Sequence, residues 1–228
     1  MWFPYVLLAI AYLLGSFPTG YLVGRLAGID IRQHGSGSTG ATNVWRTVGK
    51  FAGISVFICD FAKGAIAIWM MQSLESLKNL TTSTLPSLNL PSVPQPSLFV
   101  IGAGMLAMIG HSRPVWLGFK GGKSVATGIG ILFMLNWSVA AIALSIWLIT
   151  MSIWRTVSIS SITAAAIAPI LMWTMQTDMA YSLFVTTGSA FVIWLHRANI
   201  ERLLNGTELN FKSQSSTTKS ETTPPRQL

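Results

Sequence analysis

Apolar residues gather in runs at about 3–24, 51–71, 98–112, 124–153, 157–175 and 180–196, with scarcely a charge inside them. Runs of that length suit a bilayer, whose hydrocarbon core of about 30 Å takes about 20 helical residues. The pattern predicts an all-α, polytopic integral membrane protein with one membrane-embedded domain over 1–208. Residues 3–14 read as part of the first membrane helix, because no basic segment precedes them and no small-residue cleavage site follows. The separators are of two kinds. Residues 25–50 and 113–123 are rich in Gly and basic residues, whereas 72–97 is a Ser/Thr/Pro/Asn stretch that reads as a polar loop. Residues 209–228 are polar, Ser/Thr-rich and contain Pro224-Pro225, which predicts a disordered tail.

Charge position adds a topology. Arg25, Arg32, Arg46 and Lys50 fall in the first separator, Arg113, Lys120 and Lys123 in the second, Arg197 and Arg202 after the last run. The positive-inside rule places all three groups in the cytoplasm, so 72–97 and the N-terminus are external. Between 123 and 197 the chain must then cross an even number of times. Four crossings fit if 124–135 is a short helix, Asn136-Trp137 a turn, 137–154 a return to Arg155, and 157–175 and 180–196 the last pair around Asp178. The prediction is seven transmembrane helices with a cytoplasmic C-terminus. Five remain the alternative, because about twelve residues rise only about 18 Å.

Composition excludes a soluble domain: 51% of the 228 residues are hydrophobic and 10% charged, where soluble domains carry about 25% charged residues. The net charge of +8 does not indicate nucleic acid, since the cations form no helical stripe interleaved with aromatics. Thirteen of the 15 Lys and Arg lie on the inferred cytoplasmic side, so the excess is a sidedness signal. Cys59 stands alone, and no His/Cys cluster has metal-ligand spacing, so neither disulfide, metal nor cofactor is expected.

Three polar segments on one side carry the candidate chemistry. Gly35-Ser36-Gly37-Ser38-Thr39-Gly40 frees the backbone to turn, and its hydroxyls can cap a helix near 41–49 whose Arg46 would close over an anion with a forked guanidinium. It also reads as a plain Gly/Ser turn before a helix. The second segment, Lys120-Gly121-Gly122-Lys123-Ser124, imitates a nucleotide P-loop, but that pattern needs glycine where Leu117 stands. Amides and cations at a helix start still suit phosphate; a ligand-free cytoplasmic turn is the alternative. In the third, His196 and Asn199 are i, i+3 neighbours that can present donors together. Glu201 imitates a His-x4-acid motif, but on a helix it lies about 140° from His196. Asp60 and Lys63, at i, i+3 inside the second run, read as a structural ion pair facing the bundle interior.

In order, the chain carries Gly15-Ser16-Phe17-Pro18, Asp30-Ile31-Arg32, Gly35-Ser36-Gly37 with Gly40-Ala41-Thr42-Asn43 and Arg46, and Asp60 with Lys63-Gly64. It continues with Gly110-His111, Phe119-Lys120-Gly121-Gly122-Lys123, Val125-Ala126-Thr127, His196-Arg197, Asn199-Ile200 and Gly206-Thr207-Glu208. This set resembles the bacterial acyl-phosphate:glycerol-3-phosphate acyltransferases of the PlsY type over nearly the whole chain except 72–97 and the tail. Ser38 and Ser124 stand where that family usually has Asn and Gly.

The resemblance implies transfer of an acyl group from acyl phosphate to the 1-hydroxyl of glycerol 3-phosphate, giving lysophosphatidate and phosphate, the first step of bacterial phospholipid synthesis. It implies a place in the bacterial inner membrane, motifs on the cytoplasmic face, and as partners the two substrates, the bilayer and the enzyme that supplies acyl phosphate. Ser36, Arg46, Lys123, His196 and Asn199 would stand at the reacting centre. Gly35, Gly37, Asn43, Lys120, Gly121 and Gly122 would bind or support phosphate, and Glu208 would hold the third motif. A membrane phosphate or anion carrier is the competing class; carriers place their sites near the bilayer midplane, whereas these motifs gather at one face.

Overall fold

The computed structural model describes residues 2–84, 96–176 and 178–210, and among them it is helical with no strand. Helix α1 (Phe3–Ser16) is followed at once by α2 (Thr19–Leu26), so the first apolar run is broken. Pro18 is the cause: it has no N–H to donate and drives Phe17 to an extended ψ of 120°. The Phe17 carbonyl that the break frees accepts a hydrogen bond from Lys63 Nζ at 2.6 Å. The Thr19 N–H donates to the same carbonyl at 2.9 Å, so the break leaves no unpaired oxygen there.

Helix α3 (Ala41–Thr47) is short, and Gly40 at its N-cap offers no side chain, so the predicted hydroxyl cap is absent. Ser38 Oγ instead accepts from the Gly40 N–H at 3.3 Å within the loop. Helix α4 (Lys50–Thr84) runs on through 72–84, which the polar composition had marked as loop. No proline interrupts it before Pro86, and the hydroxyls of Ser76, Thr81 and Thr84 bond back to carbonyls four residues earlier, so the polar residues satisfy themselves without leaving the helix. Residues 85–95 of the predicted loop and 211–228, most of the predicted disordered tail, lie outside the described residues, while residues 96–97 of that loop open the next helix.

The remaining elements are α5 (Pro96–Ser112), α6 (Val125–Leu135), α7 (Trp137–Trp154), α8 (Val157–Met175), α9 (Met179–Leu195) and α10 (Arg197–Leu204). The α6–α7 junction falls at Asn136, whose side chain accepts from the Val139 N–H at 3.1 Å, an N-cap inside an unbroken apolar run. Asp178 caps α9 in the same way through Ala180. Among the described residues, five segments can cross a membrane by length and composition, with α1 and α2 together as one of them, or six when α9 and α10, bent by 54°, also count as one. Helix α6 has 11 residues, about 16 Å of rise.

Close helix approach at small residues holds α6 in place. A Cβ on Gly64 of α4 would collide with the Thr127 carbonyl, and one on Gly130 of α6 with the Phe61 carbonyl. With no hydrophobic drive between helices in lipid, such backbone contact supplies the dispersion that binds them. Beneath it runs the buried core, with Ala67, Ile68 and Met71 of α4 against Ile131, Leu135, Val139 and Met172.

Candidate active site

Three segments meet at one end of the bundle, around a cavity of about 620 Å³ that continues inward between α4, α6, α7, α8 and α9. The first segment is organised by Asn43, which is fully buried. Its Oδ1 accepts from the Ser36 N–H at 2.9 Å, and its Nδ2 lies 2.9 to 3.1 Å from the carbonyls of Ile31, His34 and Ser38. One amide thus gathers the whole loop, and Gly35 (φ +59°) adopts a backbone that side chains resist. Ser36 and Arg46 both line the cavity. Arg46 donates through Nη2 to the Leu209 carbonyl at 3.2 Å, while its buried Nε has no partner. Burial lowers its pKa, against the pull of the Glu208 charge.

The second segment departs from expectation. The N–H groups of Gly121 and Gly122 donate to the Ser112 and His111 carbonyls at 3.2 and 3.0 Å, so they are engaged by the end of α5 and are not presented to phosphate. The glycines serve close packing instead, since a Cβ on Gly122 would strike the His111 ring. Neither lines the cavity, nor do Gly35, Gly37 and the exposed Lys120. Lys123 does. Burial lowers its amine to about 8, with Glu208 opposing and Arg202 and Arg46 reinforcing the shift. Ser124 sits in the left-handed region (φ +57°) with its Oγ donating to the Met108 carbonyl at 2.7 Å, which fits a position where glycine is the easier residue.

The third segment turns on His196. The 54° bend between α9 and α10 falls there and lays α10 across the end of α9, so that the buried Asn199 reaches the cavity. His196 Nδ1 lies 2.8 Å from the Val192 carbonyl. A carbonyl only accepts, so Nδ1 carries the hydrogen and Nε2 is the basic atom of the neutral ring. Glu208 is the hub: Oε1 accepts from Ser158 Oγ at 2.9 Å and Asn199 Nδ2 at 2.6 Å, and Oε2 from Arg202 Nε at 2.7 Å. Burial pushes its carboxyl up, but those three hydrogen bonds outweigh burial and hold it below the usual value. With Nδ2 so bound, Asn199 Oδ1 is left buried and unpartnered beside the cavity. Glu208→Ala strands three donors and is expected to cost about 1–3 kcal/mol of stability, measured as a lowered melting temperature of the detergent-solubilised protein. Ser158 belongs to none of the sequence motifs, since a lone serine at the start of an apolar helix carries no signal.

Asp60 and Lys63 form the expected pair at 2.6 Å, buried, with His111 Nδ1 3.7 Å from the same carboxylate oxygen. Of the three histidines, His111 and His196 line the cavity, whereas His34 is exposed and faces the Asp30 carbonyl. Glu201 is exposed and lines nothing, as its helical angle predicted.

A polar end bearing Arg46, Lys123, His196, Asn199 and Arg202 therefore opens into an apolar groove, which suits a phosphate joined to a hydrocarbon chain. The family model described as glycerol-3-phosphate acyltransferase matches residues 5–206. The chain belongs to the glycerol-3-phosphate acyltransferase family. This acyltransferase is 50% identical over 208 residues to the glycerol-3-phosphate acyltransferase of Acaryochloris marina (strain MBIC 11017), covering 89% of this chain and 90% of that one. It is 48% identical over 209 residues to that of Synechococcus sp. (strain JA-3-3Ab), covering 91% and 93%. Among solved structures it is similar to the crystal structure of PlsY, an integral membrane glycerol 3-phosphate acyltransferase, in its glycerol 3-phosphate form. That match has a TM-score of 0.77 and 36% identity, over 91% of this chain and 94% of that one. The lysophosphatidic acid form of PlsY matches at a TM-score of 0.74 and 35% identity, with the same coverage.

Proposed function

We propose that this enzyme transfers an acyl group from acyl phosphate to the 1-hydroxyl of sn-glycerol 3-phosphate, releasing 1-acylglycerol 3-phosphate and inorganic phosphate, as the first step of bacterial phospholipid synthesis. The observation that carries the reading is the continuity of the cavity from the cationic end at Arg46, Lys123 and His196 into the apolar groove. Both substrates bear phosphate and one bears a chain, so both halves of the cavity have an occupant. The donor enters from the bilayer along the flank where Ile54 and Phe57 of α4 and Leu144 and Leu148 of α7 line the cavity and are also exposed.

Acyl phosphate is a mixed anhydride with a good leaving group, so positioning and charge stabilisation suffice without a covalent nucleophile. The glycerol hydroxyl attacks the acyl carbon, the carbon–oxygen bond to phosphate breaks, and the hydroxyl proton passes to His196 Nε2 or to the substrate's own phosphate. Lys123 and Arg46 stabilise the negative charge on the departing phosphate. Ser36 and Asn199 supply a hydroxyl and an amide oxygen to orient the acceptor, with Asn43 holding Ser36 and Glu208 holding Asn199. Purified protein in detergent or lipid, given acyl phosphate and labelled glycerol 3-phosphate, is expected to form labelled lysophosphatidate. No product from intact protein overturns the reading, and an acyl-enzyme trapped with acyl phosphate alone overturns direct attack.

The topology we infer has seven crossings, an external N-terminus and the site at the cytoplasmic face of the inner membrane. Its support is the cap at Asn136, which ends α6 and starts α7, and the backbone contact between α4 and α6 that shields the short α6 from lipid. Single cysteines at 136 and 155 in a Cys59→Ser background are expected to react with an impermeant thiol reagent from opposite sides of the membrane. Labelling of both from one side restores five crossings.

A further inference from the structure

The apolar groove ends abruptly, and the residues that end it are at one depth on separate helices. Ala168 lies eleven residues into α8 from Val157, Ala143 eleven residues from Trp154 at the same end of α7, and Phe184 eleven residues from Leu195 at the same end of α9. All three line the cavity, with Leu132 of α6 beside them. The next residues outward, Met172 on α8, Val139 on α7 and Leu135 on α6, are buried and line no part of it. Phe184 is wedged by its packing on α5, where a Cβ at Gly104 would come within 2.8 Å of its ring. The wall along α8 is made of small residues, Ser161, Ala164, Ala165 and Ala168, which leave room for a chain along the helix.

We propose that Ala168, Leu132 and Phe184 form an end stop for the donor's acyl chain and so set the chain length the enzyme prefers. This rests on the reading of acyl phosphate as donor. Eleven helical residues rise about 16 Å. An extended alkyl chain with bonds near 1.5 Å advances about 1.25 Å per carbon, so the groove holds about 13 carbons below the reacting end. Ala168 is the position where side-chain volume translates most directly into groove length, because it is the last small residue of the α8 wall. Phe184 is the complementary position, where removing volume deepens the floor.

The test is a chain-length profile with decanoyl, dodecanoyl, tetradecanoyl, hexadecanoyl and octadecanoyl phosphates at saturating glycerol 3-phosphate. Ala168→Leu is expected to lower the tetradecanoyl-to-decanoyl ratio of kcat/KM by about tenfold or more, with the KM for glycerol 3-phosphate unchanged. Phe184→Leu is expected to shift the optimum from tetradecanoyl toward hexadecanoyl. The two changes act in opposite directions, so general loss of packing reproduces neither pattern. Profiles that coincide with wild type in both variants overturn the end stop and mean that the chain leaves through the α4–α7 flank. A wild-type enzyme that turns over none of the five donors overturns the donor reading itself, and the end stop with it.

Discussion

His196→Gln is expected to lower kcat by about 10²–10⁴-fold, the range that a positioned general base contributes, while leaving the affinity for glycerol 3-phosphate within a few-fold of wild type. The geometry behind the expectation is the hydrogen bond from Nδ1 to the Val192 carbonyl at 2.8 Å, which holds the ring in the tautomer whose Nε2 is basic. Glutamine keeps a polar side chain at the bend but has no atom that takes up a proton near neutrality. The pH–rate profile separates the two candidate bases. With His196 as the base, the acidic limb of the wild-type profile disappears in the variant. With the substrate phosphate as the base, the limb persists at reduced height. Turnover within tenfold of wild type removes His196 from the reacting centre altogether. Thermal unfolding of both proteins shows whether the bend has survived the change.

Lys123→Ala is expected to cost about 10²–10³-fold in kcat/KM, the loss seen when a single charge-stabilising donor is removed from a closed site. The pH dependence is the sharper observation. Burial among Arg46 and Arg202 brings the amine down to about 8, with only Glu208 opposing, so the cation is present below that pH and is lost as pH rises through it. The wild-type rate is therefore expected to fall on the alkaline side near pH 8. Lys123→Arg keeps a charge that does not titrate below about pH 12, so part of the activity returns and the alkaline limb moves upward. An unchanged limb in Lys123→Arg assigns that titration to another group. His196 and Lys123 line the same cavity, so the double variant is expected to show non-additive losses.

The apolar runs marked every long helix, and Asn136 split one of them because an N-cap residue is a local signal that needs no tertiary context. The helical angle alone kept Glu201 away from His196. The polar stretch 72–84 misled because Ser and Thr bond back to their own helix as readily as they form loops. The glycines at 121 and 122 misled in another way. Their spacing suggests amides facing phosphate, yet they are small so that His111 can pack against the chain. Ser158 and Arg202 joined the site without a sequence signal that distinguished their partner, since Glu208 lies 50 residues from one and 6 from the other.

The sequence by itself determined that the protein is an all-helical membrane protein and that its cations fall in three separators between apolar runs, because hydrophobic runs and charge placement act locally along the chain. It also carried the resemblance to the family that the comparisons bear out, because the motifs around Ser36, Arg46, Lys123, His196 and Asn199 stand in order along the chain. Only the tertiary structure decided which of those residues reach one cavity, which amides are already taken, and where the apolar groove ends. Those are matters of distance between segments far apart in sequence: the bend at His196, the break at Pro18 and the glycine contact between α4 and α6 bring the three loops over one groove.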